Sequence, residues 1–72
     1  LNKIPLILGL GKTGVSFAKY LAKAEENIYI LESSPNDKYL NELKNLDIHY
    51  ILNPKISERT FKLISRIYPS PG

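Results

Sequence analysis

Three closely spaced glycines are the residues of this sequence whose type and spacing point most directly to chemistry. Gly9, Gly11 and Gly14 form the pattern G-x-G-x-x-G. In such a pattern the first glycine permits a tight turn, the second lets backbone N–H groups approach a diphosphate, and the third lets a helix pack against a strand. A helix that begins here offers unpaired N–H donors and a partial positive charge to an anion. The pattern therefore predicts a phosphate-binding loop.

An acidic residue, Glu32, follows the glycine loop at the end of the next apolar run. A carboxylate at this place can accept hydrogen bonds from ribose hydroxyls, so we expect Glu32 to take part in a nucleotide site. The alternative is that the glycines only form a tight corner and that Glu32 is a solvated acid at a strand end. A Walker A loop for ATP is excluded, because it needs a glycine five positions before Gly11, where Leu6 stands.

Apolar runs and helical patterns alternate around this loop and predict the elements that position it. Short continuous apolar runs are typical of strands buried on both faces of a parallel sheet, whereas apolar residues at a spacing of three and four indicate helices. The predicted strands cover residues 4–8, 28–31, 48–52 and 67–68. The βαβαβαβ order predicts an α/β, Rossmann-like parallel sheet with strand order 3-2-1-4 and helices on both faces, truncated before a fifth strand.

The helices between these strands are predicted from their capping residues and apolar stripes. The first covers residues 13–24. The second begins after a cap at Ser34, with Pro35 at its first position. The third opens at Ser57 and turns Phe61 and Ile64 inward.

The end of the chain is expected to reach the same site. In the order 3-2-1-4 the first and fourth strands are neighbours, so residues 69–72 face the crevice that the glycine loop lines. Ser70 would bring a hydroxyl group, and Gly72 would let backbone lie against a ligand. The alternative is that Pro-Ser-Pro-Gly only ends the strand.

Composition excludes several classes of function. The 72 residues contain no cysteine and one histidine, His49, which excludes disulfide scaffolds, thiolate sites and a histidine metal cluster. The ten Lys and Arg residues are spread along the chain, which argues against a nucleic-acid interface, and no apolar run is long enough to cross a membrane. We expect a cytoplasmic protein. Because the chain starts at Leu1 and contains no methionine, we expect residues 1–72 to be a single amino-terminal domain of a longer enzyme.

These motifs together resemble the amino-terminal domain of the Mur ligases, and within that family its D-glutamate-adding members. The resemblance rests on residues 9–16, on the acid-and-hydroxyl pair at 32–33 and on the closing Ser-Pro-Gly at 70–72, in order and at matching spacing. It implies a module that holds the UDP part of a UDP-linked muramoyl substrate of peptidoglycan synthesis. It also implies that the module itself binds but does not catalyse.

The resemblance also assigns roles to residues of the chain. Lys12 and Thr13 would line the diphosphate with Gly11 and Gly14, while Glu32 and Ser33 would approach the uridine and Gly72 would contact the nucleotide through its backbone. Ser34 stands where an arginine is often found, which removes a positive charge from that end of the site. No catalytic residue and no metal ligand is expected here. ATP and Mg²⁺ would bind in a separate central domain of the parent enzyme.

Two other functions and one mode of association remain open from the sequence. The glycine loop and Glu32 also fit an NAD(P)-binding domain of an oxidoreductase or of a ligand-sensing regulator, although the Ser-Pro-Gly at 70–72 does not. A purely structural or interaction fragment is the third possibility. If the sheet stops at its fourth strand, that strand is an exposed edge, and we expect it to promote self-association.

Overall fold

The predicted alternation of strands and helices is confirmed. A computed structural model describes residues 4–24 and 27–69. Its elements, in chain order, are β1 (Ile4–Leu8), α1 (Lys12–Lys23), β2 (Ile28–Leu31), α2 (Asp37–Lys44), β3 (Tyr50–Asn53), α3 (Glu58–Phe61) and β4 (Ile64–Pro69). In this part of the chain no helix is long and apolar enough to span a membrane.

The four strands form one parallel sheet in the order β3-β2-β1-β4, as predicted. β1 lies in the interior of the sheet, where Leu6 pairs with Tyr29 of β2 on one side and with Ile67 of β4 on the other. Leu6 and Ile7 are fully buried, which explains why β1 reads as a continuous apolar run. The fold is therefore the Rossmann-like α/β arrangement that the sequence indicates.

The hydrophobic core lies between this sheet and helices α1 and α2. It joins residues of β1 and β2 to the apolar stripe of α1 and to one residue of α2, and its buried members are Ile7, Leu10, Val15, Ala18, Leu21, Ile28, Ile30 and Leu43. Phe17 of α1 also packs on Tyr68 of β4, with ring centroids 5.0 Å apart. The core thus fixes α1, and with it the loop that precedes α1, against the middle of the sheet.

The opposite face of the sheet carries the segment that leads into α3. The Tyr29 hydroxyl donates a hydrogen bond to the Lys55 carbonyl oxygen at 3.0 Å and accepts one from the Asn53 side chain at 3.1 Å. Because Tyr29 alternates with the core residues Ile28 and Ile30, it lies on the face away from α1. Helices therefore flank both faces, as predicted.

The predicted starts of β3 and α2 are wrong, and each difference has a cause in the structure. β3 begins at Tyr50 rather than at residue 48, because its partner β2 begins at Ile28, which pairs with Tyr50; His49 therefore precedes the strand. α2 is capped by Asn36, whose side chain accepts from the Lys38 N–H at 2.8 Å. The predicted cap, Ser34, instead donates its own N–H to Glu32.

The last helix and strand also differ from the prediction. α3 ends at Phe61, which is 51% exposed rather than inward, and Ile64 belongs to β4. β4 starts at residue 64 instead of 67 because pairing with β1 begins there, where the Ile4 N–H donates to the Leu63 carbonyl oxygen at 2.8 Å. Ile51 and Ile67 are about half exposed, so the described residues leave part of this second face open.

Candidate functional site

The glycine loop lies between the carboxyl end of β1 and the first turn of α1. Gly9 has a φ of 91°, a backbone conformation that glycine adopts easily and that residues with a Cβ atom rarely adopt. Its N–H donates to the Leu31 carbonyl oxygen at 2.8 Å, which ties the start of the loop to β2. The tight turn that the pattern predicts is therefore present at Gly9.

The other two glycines of the pattern differ in the space available for a side chain. A Cβ atom at Gly14 would lie 2.4 Å from the Gly9 carbonyl oxygen, so the close packing of α1 on the loop requires glycine there. A Cβ atom at Gly11 would meet no atom within 4 Å. Gly11 also has an ordinary extended φ of −122°. The fold does not need glycine at position 11, and the space in front of it is open to a ligand.

The amino-terminal end of α1 is electrostatically prepared for an anion. Gly11 is its N-cap and supplies no side-chain cap, and the first turn holds no acidic residue. Instead the exposed Lys12 occupies the first position, and Thr13 follows it, half-buried. Acidic residues normally offset the partial positive charge of a helix start. Here the first turn carries an exposed lysine and no acidic residue, next to the open space at Gly11.

Glu32 joins this loop to the loop that follows β2. Its Oε1 atom accepts a hydrogen bond from the Leu10 N–H at 2.7 Å, and its Oε2 atom accepts one from the Ser34 N–H at 3.1 Å. The hydrogen bond from Leu10, and to a smaller extent that from Ser34, holds the pKa of the Glu32 carboxyl below its ordinary value. Partial burial acts in the opposite direction and raises this pKa. Glu32 is therefore a bonded bridge between two loops and not a freely solvated acid.

The structure brings the predicted site residues to one edge of the sheet. Gly11, Lys12, Thr13 and Gly14 lie after β1, and Glu32, Ser33 and Ser34 lie after the neighbouring β2. Ser33 and Ser34 are exposed. Ser70 and Gly72 are outside the described residues; Pro69, just before them, pairs with Leu8 at the end of β1.

Two residues of this edge were missed by sequence reasoning. Leu10, between the first two glycines, is only 3% exposed and holds the loop in the core while its N–H meets Glu32. The sequence feature that could have identified Leu10 is a large apolar side chain at a position of the glycine pattern where any residue is allowed. Asn53, at the end of β3, accepts the Glu32 N–H through its carbonyl oxygen at 2.9 Å. No sequence feature distinguishes that contact.

Among residues 4–24 and 27–69, no three histidine, aspartate or glutamate side chains come together in a group that could hold a metal ion. The groups present at this edge of the sheet can donate hydrogen bonds to an anion and to polar groups beside it. Its donors are backbone N–H groups, Lys12 and the hydroxyl groups of Thr13, Ser33 and Ser34.

A parallel sheet in this order, with a glycine loop opening the helix after an interior strand, defines the Rossmann-like class of α/β domains. The family model described as "Mur ligase MurD-like, N-terminal domain" matches residues 3–72. The chain belongs to this family, and the resemblance inferred from its motifs is confirmed.

Curated relatives agree with the family. The chain is 36% identical over 74 residues to a UDP-N-acetylmuramoylalanine–D-glutamate ligase of Geobacter sp. (strain M21), covering 99% of this chain and 16% of the relative. It is 41% identical over 54 residues to the ligase of the same name from Prochlorococcus marinus (strain NATL2A), covering 71% of this chain and 12% of the relative. The chain thus spans about a sixth or less of each relative. No solved structure matches it significantly.

Proposed function

We propose that this chain is the substrate-binding amino-terminal domain of a ligase that adds D-glutamate to UDP-N-acetylmuramoyl-L-alanine in peptidoglycan synthesis, in the cytoplasm. The family match and the names of both relatives support this proposal. The observation that carries it is the open space at Gly11, in front of a helix start that lacks both a side-chain cap and an acidic residue. In this proposal the chain binds the UDP group and performs no chemistry.

The diphosphate is assigned to the glycine loop. Gly11 lets a phosphate oxygen approach the backbone, and the first N–H groups of α1 donate to it, with Gly14 bringing the helix close to β1. Lys12 adds a full positive charge, and Thr13 adds a hydroxyl donor. Because these donors follow one another at the start of α1 and one of them is charged, two linked phosphates are a better match than a neutral group of similar size.

The uridine is assigned to the loop after β2. Ser33 and Ser34 are exposed there and offer hydroxyl and backbone groups beside the bridge formed by Glu32. Ser70 and Gly72 belong to the proposed site on the family resemblance alone. Ser34 brings no positive charge, so we expect the isolated chain to hold its ligand weakly.

The bond-forming chemistry is assigned to parts of the parent enzyme that this chain does not contain. ATP would convert the carboxylate of the muramoyl substrate into an acyl phosphate, which the amine of D-glutamate then attacks, and Mg²⁺ would stabilise the transferring charge. We place ATP and Mg²⁺ outside this chain because the family model that matches it is that of an amino-terminal domain.

An NAD(P)-binding role is the alternative, since a Rossmann-like sheet with a glycine loop serves dinucleotides as well. That role relies on a strand-end carboxylate free to bind a ribose. Each carboxylate oxygen of Glu32 already accepts one backbone hydrogen bond, so a ribose would have to share these oxygens with the Leu10 and Ser34 N–H groups.

Titration of the ¹⁵N-labelled 72-residue chain separates the two roles. We expect UDP and UDP-N-acetylmuramoyl-L-alanine to shift the backbone signals of Gly11, Lys12 and Thr13 at lower concentration than NAD does. Uridine without phosphate should leave those signals in place. Tighter binding of NAD than of UDP would overturn the proposal.

A matched pair of lysine variants tests the diphosphate assignment. Lys12→Ala should weaken UDP binding severalfold, because it removes a positive charge next to the phosphates. Lys19→Ala removes an equal charge from an exposed position later on the same helix and should leave the affinity unchanged. Equal effects of the two variants would show that only the net charge of the helix matters.

A further inference from the structure

One carboxylate connects the two loops to which the ligand is assigned. Glu32 stands directly after β2, yet its Oε1 atom reaches the Leu10 N–H, 22 residues earlier in the chain, at 2.7 Å. Its Oε2 atom accepts the Ser34 N–H at 3.1 Å. The backbone N–H of Glu32 itself is bonded to Asn53 of β3 at 2.9 Å, so the residue is fixed to the sheet as well.

The Leu10 N–H has special importance because of its place in the glycine loop. It lies between Gly9, which makes the tight turn, and Gly11, which caps α1. The Leu10 side chain is held in the core, so the peptide group cannot turn its N–H to solvent without moving the helix start. A partly buried N–H without an acceptor is costly, and Glu32 supplies that acceptor with a charged group.

We propose that Glu32 is a positioning residue of the phosphate site: by holding the Leu10 N–H it sets the glycine loop in the geometry that presents Gly11 and the start of α1 to a diphosphate. This inference rests on the proposed function and gives Glu32 a role distinct from direct contact with the ribose or the base. The bond to Ser34 extends the role, because the same carboxylate holds the loop assigned to the nucleoside.

The length and the charge of this side chain make distinct predictions. Glutamine keeps the length and one acceptor oxygen, so Glu32→Gln can retain the bond to Leu10, although an amide nitrogen cannot accept from Ser34. Aspartate keeps the charge but is one methylene shorter, and alanine removes both acceptors. A positioning role therefore predicts that loop order and affinity decrease from Glu to Gln and then to Asp and Ala.

The first readout requires no ligand. In the free ¹⁵N-labelled chain, Glu32→Ala should move the Leu10 amide proton upfield and speed its exchange with solvent, whereas Glu32→Gln should leave most of its protection. Glu58→Gln, which removes a carboxylate from the exposed first position of α3, is the charge-matched control and should change neither. An unchanged Leu10 amide in Glu32→Ala would overturn the proposal.

The second readout is UDP affinity. We expect the dissociation constant of UDP to rise about tenfold in Glu32→Ala and only about threefold in Glu32→Gln, in line with the loss of one or more charge-assisted hydrogen bonds. If Glu32→Gln lost as much affinity as Glu32→Ala while its Leu10 amide stayed protected, Glu32 would be a direct ligand contact and the positioning role would be wrong.

A change on the other side of the bond guards against a variant that fails to fold. A chain of 72 residues can be assembled by chemical ligation, which allows an ester to replace the amide that carries the Leu10 N–H. The ester should weaken UDP binding about as much as Glu32→Ala, and the two changes together should cost little more than either alone. Additive losses would contradict the proposal.

These outcomes separate the inference from the function on which it rests. If the wild-type chain does not bind UDP, the proposed function fails. If the wild-type chain binds UDP and Glu32→Ala binds it equally well, the function stands and only the positioning role fails.

Discussion

The carbonyl oxygen of Gly9 occupies the place where a side chain at Gly14 would begin, only 2.4 Å from the ideal Cβ position. The neighbouring Gly9 carbon and the Ile7 side chain are 3.3 and 3.4 Å from the same point. Because backbone blocks the position, Gly14→Ala can be accommodated only if α1 moves away from β1. The two glycines thus set the distance between helix and sheet.

We expect Gly14→Ala to lower the free energy of unfolding by about 1–3 kcal/mol, the usual cost of forcing extra volume into a packed site. The better helix propensity of alanine, worth up to about 1 kcal/mol, offsets part of the strain. Urea unfolding followed by circular dichroism measures the change. A variant as stable as the wild type would show that the helix shifts without cost.

Gly11→Ala should change the stability of the chain little but weaken UDP binding. Its φ suits any residue and its Cβ atom would meet nothing, so we expect a loss of stability below about 1 kcal/mol, the scale of replacing an N-cap glycine. The same methyl group projects into the space assigned to the diphosphate. UDP affinity should therefore fall at least about tenfold. Unimpaired UDP binding would contradict the site assignment.

The Glu32 bridge predicts a dependence of stability on acid pH. Because the hydrogen bonds from Leu10 and Ser34 lower the pKa of Glu32 in the folded chain, the unfolded chain binds its proton first as the pH falls. The stabilisation is complete above the ordinary glutamate pKa of about 4.3 and is lost as the pH falls through the lower folded pKa. Unfolding free energies measured between pH 3 and pH 7 should decrease more steeply toward acid in the wild type than in Glu32→Gln.

The exposed edge of β4 predicts self-association of the isolated chain. Ile67 is 48% exposed on an edge strand of the described sheet, and unpaired edges recruit other strands. Sedimentation velocity should show an average mass that rises with concentration, and Ile67→Lys should reduce the rise. Tyr20→Lys alters an exposed apolar residue of α1 and serves as the control. A wild-type chain that stays monomeric at high concentration would refute the prediction.

The isolated chain should release no phosphate from ATP. The proposal assigns ATP and Mg²⁺ to other parts of the parent enzyme, and the described residues present no set of ligands for the ion. A phosphate-release assay with ATP, D-glutamate and UDP-N-acetylmuramoyl-L-alanine should stay at the level of the buffer. Turnover that survives purification would contradict the assignment of a pure binding domain.

The interior strands could be predicted from the sequence to the residue, whereas the edge strands could not. β1 and β2 are buried on both sides, so their apolar runs coincide with their pairing. The extent of β3 and β4 is decided by their partners: β3 starts at Tyr50 because Ile28 stands opposite, and β4 starts at Ile64 because Ile4 does. Such limits depend on residues distant in sequence.

The same distinction applies to the candidate site. The glycine loop was predictable because its requirements are local: a positive φ at Gly9 and no space for a side chain at Gly14. The bond between Glu32 and Leu10 was not, since a carboxylate near a strand end is equally compatible with binding a ribose, a solvent molecule or its own chain. The cap of α2 is Asn36 because the helix begins at Asp37, three residues after Ser34.

The attachment of the glycine loop at two consecutive peptide groups has a consequence for binding kinetics. Gly9 is bonded to Leu31 and Leu10 to Glu32, so the loop is already in place before a ligand arrives. A site formed in advance loses little conformational entropy on binding, and its association rate is set by encounter rather than by rearrangement. Ligands that share a diphosphate should therefore associate with this edge at similar rates. Discrimination between UDP, its sugar derivatives and NAD then resides in how long each one stays.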